Sequence, residues 1–330
     1  MPPTDSIINS PELSEATVDR APTAFSDSEI DDLKGELEDL LPSQARPGPE
    51  WAYGLREGMT RYNRIEGLSL GTSGTLPLPN RFSVRVEGRI GTVDREPRAE
   101  LTFYRGEPDG GWALTGYRRL DLGSDWARPL EFTRSVNNLL GGHDQGAFFD
   151  AYGGDISLVS TGRASRRTLR LFFEEHRTVS KHTDFYLQRA ISPDDYMPEN
   201  ITALKDSVFE GEIELRGHRG VDPAGLMLSG RIVLEGGTDD LEYWRWLTSG
   251  TLSHPLPFRL VGAVEGGLGM AAADTPVQRH FYLGGPKTFR GTLTGDLTGS
   301  AFWFGRTEVA NDLAAARVVV FSDFAWVGRG

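Results

Sequence analysis

From about Tyr62 to the last residue, apolar and polar side chains alternate with a period of two. That period belongs to an extended strand, whose successive side chains leave opposite faces. In 81–93, Phe82, Val84, Val86 and Ile90 fall on one side, and Arg81, Ser83, Arg85, Glu87 and Arg89 on the other. The pattern returns in Leu169, Leu171 and Phe173, in Phe209, Gly211, Ile213 and Leu215, and in Leu228, Ile232 and Leu234. Phe258, Leu260 and Val264 continue it, and weaker alternation runs through 97–106, 112–122, 146–160 and 240–254. About thirteen strands are expected, and no helix after residue 60.

Many of these runs exceed the five or six residues usual for a strand, and they carry Gly on the apolar side. Strands of about ten residues in meander order match the height of a tilted bilayer-spanning strand. Trp112, Trp126, Tyr243, Trp244, Trp246, Trp303 and Trp326 lie near strand ends, where interfacial aromatic girdles sit. The pattern therefore reads as all-β, a transmembrane antiparallel β-barrel, with a large soluble sandwich or propeller as the alternative. No run approaches 18 apolar residues, which excludes a helical span and leaves a barrel open.

The first 60 residues differ. Met1 to Thr23 is polar and holds four prolines, without the apolar run of a secretory signal peptide. Ser26-Asp27-Ser28-Glu29 is a capping box, and Ile30, Leu33, Leu37 and Leu40 predict a short helix to about Leu41, ended by Pro42. The expected domains are a linker with a short helix over 1–60 and a barrel over 61–330.

Composition narrows the chemistry. With no Cys, the chain has no disulfide framework, thiolate zinc site or cysteine nucleophile. Its 35 Lys+Arg against 47 Asp+Glu give a net charge of −12, which argues against a nucleic-acid binder. The six histidines lack ligand spacing, so neither a metal nor another cofactor is expected. Gly267-Leu268-Gly269-Met270-Ala271-Ala272 mimics a dinucleotide fingerprint but leaves no room for the required helix before Pro276. No G-x-S-x-G elbow is present, and the pairs Asp194-Asp195 and Asp239-Asp240 read as turns, so the chain is not expected to be an enzyme. Glu210, Glu212 and Glu214 share one strand face and repel unless solvated, which a water-filled lumen or an ordinary exposed face would provide.

The strongest local pattern is Phe281-Tyr282-Leu283-Gly284-Gly285-Pro286-Lys287-Thr288-Phe289-Arg290-Gly291, a glycine-bearing loop that presents an arginine. An arginine held inside a barrel needs carboxylate partners, because burying it alone is costly. Glu308 shares a strand face with Arg306, and Asp323 shares the parity of Arg317, opposite Val318, Val320 and Trp326.

This loop resembles the G-G-x-x-x-(V/I/L)-R-G-(F/Y) loop of the bacterial surface antigen superfamily of outer-membrane barrels, which holds BamA- and TamA-like assembly factors and two-partner-secretion transporters. Gly284, Gly285, Arg290 and Gly291 carry the likeness. Phe321-Ser322-Asp323-Phe324-Ala325 is similar to the family's F-x-D-x-G, and Asn63-Arg64-Ile65-Glu66-Gly67 to an N-R-V-E-G barrel opening. Thr292 stands where the family has an aromatic residue, and Ala325 where it has Gly. The resemblance implies an outer-membrane protein of a Gram-negative bacterium that inserts or translocates client polypeptides without covalent chemistry. It also implies that Arg290 docks the loop in the lumen against Glu308 and Asp323, the loop-docking acids. A passive outer-membrane pore or receptor, or a soluble all-β binding protein, remains as an alternative. The family barrel has about sixteen strands and usually POTRA domains, so this chain is expected to be C-terminally incomplete or to start upstream.

Overall fold

The computed structural model describes residues 48–328, apart from 108, 128–129, 192–195, 206, 221–225, 240–241 and 312–317. The helix expected near 30–41, Arg317 and both acidic pairs fall wholly or partly outside the described residues.

One antiparallel sheet dominates. It opens with β1 (Glu50–Tyr53), β2 (Thr60–Asn63), β3 (Gly67–Pro77), β4 (Phe82–Gly91) and β5 (Pro97–Glu107). It continues through β6 (Gly110–Leu122), β7 (Phe148–Gly162), β8 (Ser165–Thr178), β9 (Ser207–Arg219) and β10 (Met227–Asp239). Then come β11 (Tyr243–Leu256) and β12 (Leu260–Ala271), the short β13 (Phe281–Leu283) and β14 (Leu297–Gly299), and finally β15 (Ala301–Asn311) and β16 (Val319–Gly328). Each long strand pairs with its neighbours in meander order, except that β12 passes directly to β15 while β13 and β14 form a separate hairpin. β1 and β2 share one edge of β3, Tyr53 opposite Thr72 and Thr60 opposite Leu70, so they are one strand interrupted at 54–59. The path β1, β3 to β12, β15, β16 has thirteen strands, and no ladder joins β1 to β16 among the described residues.

Register decides which side chains meet lipid. Leu169 faces Ile213, Ile213 faces Leu234, Leu234 faces Trp246 and Trp246 faces Met270, so one apolar row crosses five strands. Leu268, Trp303 and Trp326 form another row. Most of these side chains are exposed although large and apolar, as a lipid-facing band requires. No helix of the described residues is long and apolar enough to cross a membrane, and the strands of 10–15 residues can do so. The opposite face is polar and paired: Arg170 meets Asp155 at 3.0 Å and Arg306 meets Glu265 at 2.9 Å. The face carrying Glu210, Glu212 and Glu214 is therefore the inner one.

The two ends differ. β7 and β8 are joined by residues 163–164 and β11 and β12 by 257–259, whereas 123–147, 179–206 and 272–300 are long connections at the other end. Short periplasmic turns and long external loops are the usual asymmetry of such barrels. The buried apolar residues gather at the long-loop end, where the β13–β14 hairpin packs Phe281 and Leu283 against Val233, Leu247, Phe302 and Phe304 of the wall.

Three expectations are corrected. Residues Phe132–Gly141 form a helix, α1. Its fully buried side chains are polar, Ser135 and Asn138, and Phe132, Val136 and Leu140 are exposed, although Phe132, Val136, Leu139 and Leu140 recur in the sequence at helical spacing. Trp126 belongs to no girdle: its ring lies 5.1 Å from Phe302 and 5.9 Å from Phe304, edge-on, within the mouth. Tyr243 is also interior, with its hydroxyl donating to Glu235. Trp244, Trp303 and Trp326 are exposed at the long-loop ends of their strands, where a girdle belongs.

Candidate functional site

The residues from 272 to 300 leave β12, enter the mouth and return to β15. Glycines make the turn possible. Gly284 and Gly285 have φ of 120° and 76°, and a Cβ on Gly284 would lie 2.0 Å from the Leu293 carbonyl oxygen. Thr288, fully buried, closes the turn by accepting from the Gly284 N–H at 2.8 Å and donating to the Gly284 carbonyl at 3.1 Å. The wall makes room in the same way. Gly267 and Gly269 of β12 face inward beneath the rings of Phe304 and Phe302, where added Cβ atoms would come within 2.5 Å.

Arg290 sits near the middle of this loop, past the glycine turn. Its Nε donates to Asp323 Oδ2 at 2.7 Å, its backbone N–H donates to the same oxygen at 3.0 Å, and Nη2 reaches Oδ1. Nη1 donates to Glu308, and the guanidinium lies 3.7 Å from the centre of the Phe321 ring. Asp323 and Glu308 come from β16 and β15, neighbouring strands in which Arg306 is opposite Asp323. Arg306 stands 3.6 Å from Glu308 and 3.9 Å from Asp323 but makes its closer contact, 2.9 Å, with Glu265. Three acids thus share one wall arginine, and Arg290 supplies the second cation. The two oxygens of Asp323 take two guanidinium nitrogens, a geometry that Lys cannot reproduce. Gly291 is exposed beside the Phe289 ring.

A second anchor on the same loop was not read from the sequence. Arg279 projects over three strands, to Glu210 of β9 at 2.7 Å and to Glu174 of β8 and Glu235 of β10 at 3.4 Å each. Glu235 is also held by Arg245 at 2.8 Å, and Arg245 bridges to Asp125 of the 123–147 connection at 2.8 Å. Beside it, Gln278 donates to His176 Nδ1 at 3.2 Å, leaving His176 Nε2–H to donate to Glu174 at 3.0 Å. Glu210 was visible as part of an acidic ladder. Its partner was not, because Arg279 comes from a loop 69 residues further along the chain.

The turn 63–67 is a third fixed point. Asn63 Oδ1 accepts from the N–H groups of Ile65 and Glu66, at 3.0 and 2.9 Å. Glu66, fully buried, receives Arg61 at 2.7 Å and Arg98 at 3.2 Å. Burial pushes the Glu66 carboxyl up, but these guanidiniums outweigh it and hold the group at about 2. Arg64 turns the other way, to Asp144 at 3.0 Å and to the carbonyl of Gly146 at 2.6 Å, and its own carbonyl accepts from His182 N–H. This one turn therefore ties the 123–147 and 179–206 connections to the barrel rim.

No family model matches the sequence, and no curated protein matches it. Solved structures do. BamA from Haemophilus ducreyi lacking POTRA domains 1–3 is similar with a TM-score of 0.56 and 15% identity, over 92% of this chain and 66% of that one. CdiB from Acinetobacter baumannii has a TM-score of 0.42 and 11% identity, over 82% and 48%. CdiB from Escherichia coli has a TM-score of 0.42 and 12% identity, over 90% and 60%. The chain spans just under two thirds of the BamA structure and less of the other two. At such identity the likeness is one of fold, and that fold is the outer-membrane β-barrel.

Proposed function

We propose that this barrel inserts polypeptides into the outer membrane or moves them across it, with the 272–300 loop seated in its lumen as a fixed structural part. The observation that supports the reading is the seating of Arg290 on Asp323 and Glu308 within a barrel whose fold is similar to BamA. The same residues carry the resemblance to the superfamily of assembly factors and two-partner-secretion transporters. The work asked of such a protein is binding and displacement of chains, and no covalent step is part of the reading. The lipid bilayer and client polypeptides are its partners.

The passive pore is the less favoured reading. Trp126 packs on Phe302 and Phe304, and Arg279 spans three strands, so loops occupy the mouth through which a steady current would flow. The test is to fold the full chain into phosphatidylethanolamine–phosphatidylglycerol vesicles and add a urea-unfolded outer-membrane barrel as client. Client folding, followed by heat-modifiable gel mobility, is expected to be several-fold faster than in protein-free vesicles. No acceleration, together with a large and steady single-channel conductance, would overturn the reading in favour of a pore.

A further inference from the structure

The helix α1 is built the wrong way round for a helix in water. A surface helix turns its apolar side to the protein and its polar side to solvent. In Phe132–Gly141 the buried residues are Ser135 and Asn138, while Phe132, Val136 and Leu140, spaced by four on one face, are exposed. Arg134 is the single charged residue of the helix. The barrel wall carries the same inversion, and there the exposed apolar side meets lipid.

The position of α1 indicates what covers that face. Tyr62 of β2 is opposite Leu68 of β3, and Leu68 and Leu70 are exposed on the outer face, with Leu70 opposite the exposed Ile90. Tyr62 therefore points outward, yet it is only 6% exposed, because Tyr186, Met197 and Leu139 of α1 pack around it. On its other side α1 lines a small cleft, Arg134 and Asn138 against Gly284, Pro286 and Thr294 of the docked loop. Arg290 seats that loop on β15 and β16. The helix thus stands between the first strand and the loop held by the last two, at the junction that no ladder closes among the described residues. At its end Gly141 lies beside Gln188, in the turn Leu187–Ala190, where Leu187 and the following Ile191 are exposed as well.

We propose that the outer face of α1 lies in the acyl chains of the external leaflet, so that the helix continues the lipid-facing band across this junction. Phe132, Val136 and Leu140 are the membrane-contacting residues, and Thr133 and Asn137 mark the polar edge of the exposed arc. The apolar surface passes without a break from Leu70 and Leu68 over Tyr62 to Leu139, which joins the helix face to an interface that lipid already covers. An amphipathic helix held in this way lies in the membrane plane rather than across it. The inference rests on the barrel fold and not on the transport reading, and either can fail alone.

The chain has no cysteine, so single-cysteine variants of the full chain can each carry one environment-sensitive fluorophore. Val136→Cys, Asn137→Cys and, as a reference in the wall, Leu70→Cys are labelled and folded into phosphatidylethanolamine–phosphatidylglycerol vesicles, and heat-modifiable mobility confirms that each is folded. Leu140→Cys replaces Val136→Cys if the latter does not fold. Nitroxide-labelled lipids are expected to quench the label at 136 at least twofold, close to the quenching at 70, and the label at 137 less than half as strongly. Aqueous iodide should quench in the reverse order. A label at 136 reached by iodide and not by the nitroxide lipids would overturn the proposal, because the face would then be in water. A label at 136 shielded from both quenchers would overturn it in favour of a protein partner. Equal lipid quenching at 136 and 137 would also overturn it, since no one face would then be turned to the membrane.

Discussion

Arg290 is held by geometry as much as by charge. Its side chain is 19% exposed, while those of Asp323 and Glu308 are 4% and 8% exposed, so the acids are drier than the arginine. Removing one partner of a buried pair costs roughly 3–5 kcal/mol, less where water reaches, because the remaining charge is stranded. Arg290→Ala leaves two acids facing a single shared arginine. It is expected to speed trypsin cleavage at Lys287 on the loop by at least tenfold, with Arg290→Lys intermediate because an ammonium cannot grip both Asp323 oxygens. The wall glycines make a separate prediction. Gly267→Val forces a branched side chain into the Phe304 ring and is expected to cost about 1–3 kcal/mol, read as a lower temperature for the heat-modified gel shift. Val at Gly305, whose Cβ would meet nothing within 4 Å, is the control and should leave that temperature unchanged.

The 272–300 loop behaves as one element with two attachments, Arg279 near its start and Arg290 near its middle. If both restrain the same segment, their loss couples, as close or shared contacts do. Arg279→Met and Arg290→Ala are therefore expected to raise the rate of Lys287 cleavage by less together than the product of their single effects, once either has freed the loop. The 63–67 turn responds to acid. Because the folded Glu66 carboxyl sits at about 2 against an ordinary 4.5, its contribution to stability is present above about 4.5 and is lost as pH falls toward 2. Glu66→Gln should flatten the pH dependence of unfolding across that window, and an unchanged slope would count against the ion pairs with Arg61 and Arg98. The strands themselves were legible in the sequence, because a two-residue period survives whatever the neighbours do. The runs near 81–93, 97–106 and 112–122 became Phe82–Gly91, Pro97–Glu107 and Gly110–Leu122. The helix α1 was signalled too, by Phe132, Val136, Leu139 and Leu140 at helical spacing before Gly142, but so short a run among long two-residue alternations was passed over. Arg279 was illegible, since its three acids lie on three neighbouring strands and only the register of β8, β9 and β10 brings them together under one loop side chain.

At the scale of the whole molecule, the barrel inverts a soluble protein. Large apolar side chains are exposed outside and ion pairs are buried inside, which is stable only when lipid covers the outer band. Heating in detergent should therefore shift gel mobility. The mouth closed by three connections is expected to give vesicles low conductance, rising when Arg279→Met and Arg290→Ala are combined. The central claim is that the loop arginine is seated on the β15–β16 wall, and exchanging the charges tests it most directly. Arg290→Glu and Asp323→Arg should each expose Lys287 to trypsin, and the double variant, with the pair reversed, should recover most of the protection. Single variants as resistant as the wild type, or a double variant as labile as the singles together, would contradict the account.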